Sequence, residues 1–60
     1  MPEPRLLRLL IGRPVEVDRA DGAHVGGTLL NVNSRSLWLL DGDEDRFVRL
    51  ADVVSLRAAS

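Results

Sequence analysis

The sequence predicts a mainly β fold: a short N-terminal helix followed by a five-stranded, strongly bent barrel. Three observations predict it. The apolar spacing changes from helical to alternating at Pro14, the later apolar runs are separated by turn residues, and the last run, "RLADVVSL" at residues 49–56, is interrupted by Ala51-Asp52. With 60 residues the chain forms one domain, residues 1–60. A chain this short buries only about 60% of its unfolded surface and cannot divide a core in two.

Arg5 to Ile11 predict an amphipathic helix of about two turns, with Leu6, Leu9 and Leu10 on one face, Leu7 and Ile11 beside it, and Gly12 suited to the C-cap. Alone it is too short to be stable, so it must lie on something apolar. From Pro14, Val15 and Val17 alternate with Glu16 and Asp18, and Ala20-Asp21-Gly22 supplies hairpin chemistry, which ends strand one near Arg19. Strand two begins near Ala23. Val25, Gly27 and Leu29 share a face, but the next inward candidate is Val32, so the alternation slips around Leu30-Asn31. Together with Gly26-Gly27, that slip describes a bent or bulged strand. Asn33-Ser34-Arg35-Ser36 is a tight connection, Leu37 to Leu40 a third strand, Gly42-Asp43-Glu44-Asp45 an acidic turn, and Arg46 to Leu50 a fourth strand. Ala51-Asp52 then reads as one 3₁₀-like turn that redirects the chain. Val53 to Arg57 can thereby pair with a different neighbour and close an SH3-like barrel over about residues 14–58.

Composition limits the function. The chain has no cysteine, which removes disulfides and cysteine-ligated zinc and suits a reducing compartment. Its N-terminal apolar run is broken by Arg8 and is followed by no small-residue cleavage site, whereas about 20 apolar residues are needed to span a bilayer. A soluble, cytoplasmic protein with no membrane partner is expected. The net charge of −1 means that any phosphate binding must be local. His24 stands without cysteine or a second histidine, and Asp41, Asp43, Glu44 and Asp45 lack the alternating ligands and closing Glu of a calcium loop. Ser34, Ser36 and Ser55 have no base arranged beside them. Neither catalysis, a metal nor a cofactor is expected.

The element order, with "VGGTLLNVNSRSLWLLD" and the closing "LADVVSL", resembles the Sm and Sm-like (LSm, Hfq-type) proteins over roughly residues 5–58. The first stretch is similar to the family's first motif, in which an apolar strand leads to an RNA-contacting turn and a second apolar strand ends in Asp. The second is similar to its short turn followed by a branched apolar pair. The resemblance implies a bacterial, ring-forming protein that binds single-stranded RNA, with subunits joined through their fourth and fifth strands. It directs attention to Asn33, Ser34, Arg35 and Ser36 as the RNA-contacting turn. The family's turn holds an Asp and an Asn around a stacking residue. Here those positions are Asn33 and Ser36, and Leu50-Ala51 stand where the family has a base-contacting pair before the last strand.

The residues argue separately for self-association. Leu37 to Leu40 alternate across the sheet, so one pair faces outward unless something covers it: Trp38 and Leu40, with Phe47, Val53, Val54 and Leu56, form a candidate homo-oligomer interface, the alternative being that Trp38 packs under the N-terminal helix. The basic residues are arginine throughout, among them Arg5, Arg8, Arg13, Arg35, Arg46, Arg49 and Arg57. Arg5 and Arg8 on the helix, and Arg13 after it, would gather on one face of a ring and bind RNA multivalently. Arg46 and Arg49 lie near Asp43, Glu44 and Asp45 and are available for surface pairing instead. The alternative function is a protein-interaction or assembly module, the same barrel without nucleic acid.

Overall fold

The computed structural model describes residues 4–59 of the expected single domain. One α-helical turn, α1 (Pro4–Leu7), runs directly into a 3₁₀ turn (Arg8–Leu10). Five strands follow: β1 (Pro14–Arg19), β2 (His24–Val32), β3 (Ser36–Asp41), β4 (Glu44–Arg49) and β5 (Val53–Ala58), with a second 3₁₀ turn (Leu50–Asp52) between the last two. All pairings are antiparallel, in the order β4-β3-β2-β1-β5.

Alternation determines the core. Val15, Val17, Leu29, Leu37 and Leu39 are sealed from solvent, joined by Val32, Val48, Leu50, Val53 and Leu7. The expected slip in β2 is a bulge: Leu29 pairs with Leu39 but Asn31 pairs with Trp38, so Leu30 is the extra residue and Val32 returns inward opposite Leu37. Gly27 lies where β3 passes closest. A Cβ there would stand 2.6 Å from the Leu40 carbonyl oxygen, whereas at Gly26 the nearest atom would be 3.8 Å away. Only at Gly27 does the close approach of the neighbouring strand exclude a side chain.

Three sequence expectations change in detail. The helix is shorter and tighter than a uniform amphipathic helix over 5–11: Leu7 and Leu10 pack inward, while Leu6 and Leu9 stay exposed. The 3₁₀ geometry explains this, because residues i and i+3 eclipse and Leu7 and Leu10 align. Gly12 caps the segment at φ +88°, and its N–H donates to the Leu29 carbonyl at 2.7 Å, fastening the helix to β2. The acidic turn is only Gly42-Asp43, since Asp41 pairs with Glu44 and extends β4 toward its N-terminus. Finally, β5 pairs with β1, and among the described residues no β4–β5 ladder closes the barrel. The Leu50–Asp52 turn instead ties the end of β4 to the β2–β3 and β1–β2 turns. Leu50 is buried, its N–H donates to the Arg35 carbonyl at 2.7 Å, and the Asp52 carbonyl accepts from Ala20 N–H at 2.8 Å. Two six-residue strands, β4 and β5, are left as edges.

Candidate functional site

The β2–β3 turn is rigid because one side-chain oxygen organises it. Asn33 Oδ1 accepts from the N–H of Arg35 at 2.7 Å, the N–H of Ser36 at 2.8 Å and the Ser36 hydroxyl at 3.3 Å. Asn33 N–H in turn donates to the Ser36 carbonyl at 3.0 Å. This is an Asx turn, the conformation that Asn favours when its side chain replaces a backbone acceptor. Ser34 and Arg35 project from it into solvent.

Beside this turn the bulge in β2 sets Asn31 opposite Trp38, and β4 sets Phe47 opposite Trp38 from the other side. The two rings stack with centroids 5.6 Å apart and planes inclined by 19°. Trp38 Nε1 donates to Asp45 Oδ1 at 3.2 Å, which fixes the indole. Asn31, Val32, Asn33, Ser36, Trp38 and Phe47 line a shallow cavity of about 80 Å³. The sequence pattern marks Trp38 and Phe47 as outward residues but does not bring them to the turn. That required the strand pairing, which becomes legible only when the Gly42-Asp43 turn fixes the β3–β4 register.

Of the interface candidates, Trp38, Phe47 and Val54 are exposed at 38%, 67% and 67%. Leu40 is half-buried. Val53 and Leu56 pack in or against the chain's own core, because the β1–β5 register shifts at Asp18/Arg19 and turns Val53 inward and Val54 outward.

The arginines divide by partner. Arg46 pairs with Asp41 at 3.0 Å and with Glu44 at 3.5 Å, Arg49 with Asp52 at 3.5 Å, Arg57 with Asp18 at 2.9 Å, and Arg19 with Asp21 at 3.3 Å. Among the described residues Arg8, Arg13 and Arg35 have no acidic partner, and all are exposed. Arg5 is exposed as well but already engaged.

The outer surface of β1, β2 and β5 carries an ionic cluster centred on His24. Its Nδ1 lies 2.9 Å from Asp18 Oδ1 and its Nε2 lies 3.1 Å from Glu16 Oε1. Asp18 Oδ2 also accepts from the Ser55 hydroxyl at 2.8 Å and from Arg57 at 2.9 Å. The hydrogen bond to Asp18 raises the His24 pKa above its ordinary value, and the bonds from His24, Ser55 and Arg57 hold Asp18 well below the usual carboxylate range. Among the described residues no group of three or more His, Cys, Asp or Glu side chains is arranged to hold a metal ion, and no helix is long and apolar enough to cross a membrane. No family model matches the chain, and no curated protein matches it in sequence.

Proposed function

We propose that this chain is an Sm-like protein that assembles head-to-tail into a homo-oligomeric ring and binds single-stranded RNA without catalysis. The observation that carries the reading is the pair of open edges. β4 and β5 are equally long, carry exposed Phe47 and Val54, and have no partner on their outer side among the described residues. Edges of that kind template strand addition, and joining one edge to the other in the next copy is a heterologous contact that can close into a ring. Arg8, Arg13 and Arg35, which have no acidic partner among the described residues, support the RNA half of the reading. Repeated around a ring they would supply positive charge that the single chain, at net −1, lacks.

A specific observation favours the second reading, an assembly module without nucleic acid. Asn33 Oδ1 already serves three donors within its own turn and is not available to read a base. Size-exclusion chromatography with light scattering, with and without a short U-rich or A-rich RNA, separates the two. A ring that takes up RNA at low salt and releases it as salt rises is the expected result, since phosphate contacts weaken steeply with ionic strength. A ring indifferent to RNA at every salt concentration favours the assembly module. A monomer at all concentrations overturns both.

A further inference from the structure

We infer that the exposed leucine ridge of the N-terminal segment, Leu6 and Leu9 flanked by Arg8 and Arg13, docks on the acidic β3–β4 hairpin of a second copy, around Asp43 and Phe47. The contact goes beyond the ring reading, since it uses side chains and leaves the backbone edges of β4 and β5 free to pair. It also accounts for the leucines, which RNA binding does not: an apolar ridge between arginines adds nothing to a phosphate contact.

Three observations carry the contact. The first is an apolar surface that its own chain leaves uncovered. Leu7 and Leu10 turn inward, while Leu6 and Leu9, also three residues apart, align on another side and are 64% and 76% exposed. The ridge is held there. Leu7 is buried, Gly12 N–H donates to the Leu29 carbonyl at 2.7 Å and Leu29 N–H donates to the Arg13 carbonyl at 3.0 Å, so the segment is fixed at both ends with its leucines outward. A fixed, contiguous apolar ridge of this kind marks a contact surface. The second observation is charge complementarity within one sequence. Residues 5–13 contain three arginines and no acidic residue, whereas residues 41–46 contain four acidic residues and one arginine. Among the described residues Arg8, Arg13 and Asp43 have no oppositely charged partner. The third is that the hairpin carries apolar surface beside its charge: Phe47 lies two residues from Asp45 in β4, stacks on Trp38 and is 67% exposed. Leucines among cations thus meet an aromatic ring among carboxylates, so the apolar and the charged parts of the two surfaces match and charge steers their approach. Because the two surfaces differ, the contact is heterologous: each copy gives its segment to one neighbour and receives on its hairpin the segment of another.

Sedimentation velocity of the full chain across protein and salt concentration tests the contact, with Trp38, the only tryptophan and part of the hairpin surface, as a fluorescent second readout. At low salt, species larger than the salt-resistant assembly are expected, and they should dissociate as ionic strength rises, with a matching shift of Trp38 emission. Arg8→Glu and Asp43→Arg should each weaken this association about tenfold, and the double variant, whose reversed segment meets the reversed hairpin of the next copy, should recover most of it. Leu9→Ser should weaken it about tenfold with its salt dependence unchanged. All three positions are exposed, and circular dichroism checks that the variants fold. A chain that is monomeric at high salt and associates only at low salt, with these variant effects, would uphold the contact and overturn the strand-edge ring. A ring whose size and Trp38 emission ignore salt and are the same in Arg8→Glu and Leu9→Ser would overturn the contact and leave the ring standing. Loss in both charge variants with no recovery in the double variant would overturn the pairing of these two surfaces. Capture by vesicles containing an anionic lipid, dependent on Leu9 and without salt-sensitive self-association, would give the ridge to a membrane surface and overturn the contact too.

Discussion

The two outer surfaces of the sheet solve the same problem differently. Over β1, β2 and β5, the polar side chains satisfy one another: His24, Asp18, Glu16, Ser55 and Arg57 form a closed set of ion pairs and hydrogen bonds. Over β2, β3 and β4, two aromatic rings, two asparagines and a serine surround a cavity, and their remaining donors and ring faces point to solvent. A surface whose charges are already neutralised by neighbours offers little to a ligand, because binding must first break what is there. The aromatic surface requires no such exchange. The same sheet therefore separates a region whose polar groups satisfy one another from one that exposes aromatic surface.

Replacing the core beneath both surfaces has the largest expected effect. Leu37→Ala empties a fully buried position opposite both Val32 and Val48 and should cost about 2–5 kcal/mol. In a domain of this size that approaches the whole stability, and thermal denaturation followed by circular dichroism should show a lost or much lowered transition. Next comes the line where the two surfaces meet. Gly27→Ala drives a Cβ into the Leu40 carbonyl, for an expected loss of about 1–3 kcal/mol, whereas Gly26→Ala, with its nearest atom at ordinary contact distance, should stay within about 0.5 kcal/mol of the wild type. Equal effects at the two glycines would mean that β3 does not approach β2 as described.

The ionic surface can be isolated by pH. His24 has a raised pKa in the folded chain, so its contribution is fully present below its unfolded value of about 6.5 and is lost as pH rises through the folded value. Asp18 has a lowered pKa, so its contribution is present above about 3.9 and is lost as pH falls through its folded value. The melting temperature should therefore be highest between those limits and decline modestly as pH rises past about 6.5, and His24→Gln should remove the decline on that side. A small effect is expected at the aromatic surface. Phe47→Ala should change stability by about 0.5–1 kcal/mol, through loss of an exposed stack alone. A larger loss in concentrated protein than in dilute protein would place Phe47 in a contact between copies.

Much of this architecture was legible in the residues. The switch of period at Pro14 marks the helix-to-strand boundary, the broken alternation at Leu30-Asn31 marks the bulge, and Ala51-Asp52 marks the redirecting turn. Each is a local signal with a local cause. The inward face of the N-terminal segment was not legible, because α and 3₁₀ geometries select different members of the run Leu6 to Leu10 and the choice follows from how the segment sits on β2. The cavity was hidden for a related reason. Trp38, Phe47 and Asn31 come together only through strand register, which depends on the exact turn between β3 and β4 and on one extra residue in β2. Arginine pairing was half legible. Proximity in sequence suggested acidic neighbours for Arg46 and Arg49: Arg46 does reach Glu44, with a shorter cross-strand pair to Asp41 besides, whereas Arg49 pairs with Asp52 in the following turn.

The three-residue turn Leu50–Asp52 has a kinetic consequence as well. Strands β1 to β4 form by successive hairpins between sequence neighbours, but β5 must return across the chain, as the Asp18–Ser55 contact spans 37 residues. Pairing over such a separation is intrinsically slow to form, and without β5 in place β1 is itself an edge. The short turn limits how far β5 can reach and keeps it with its own β1. Lengthening that hinge would let β5 search farther and dock on the β1 of another copy, exchanging strands between chains in place of joining complete barrels edge to edge.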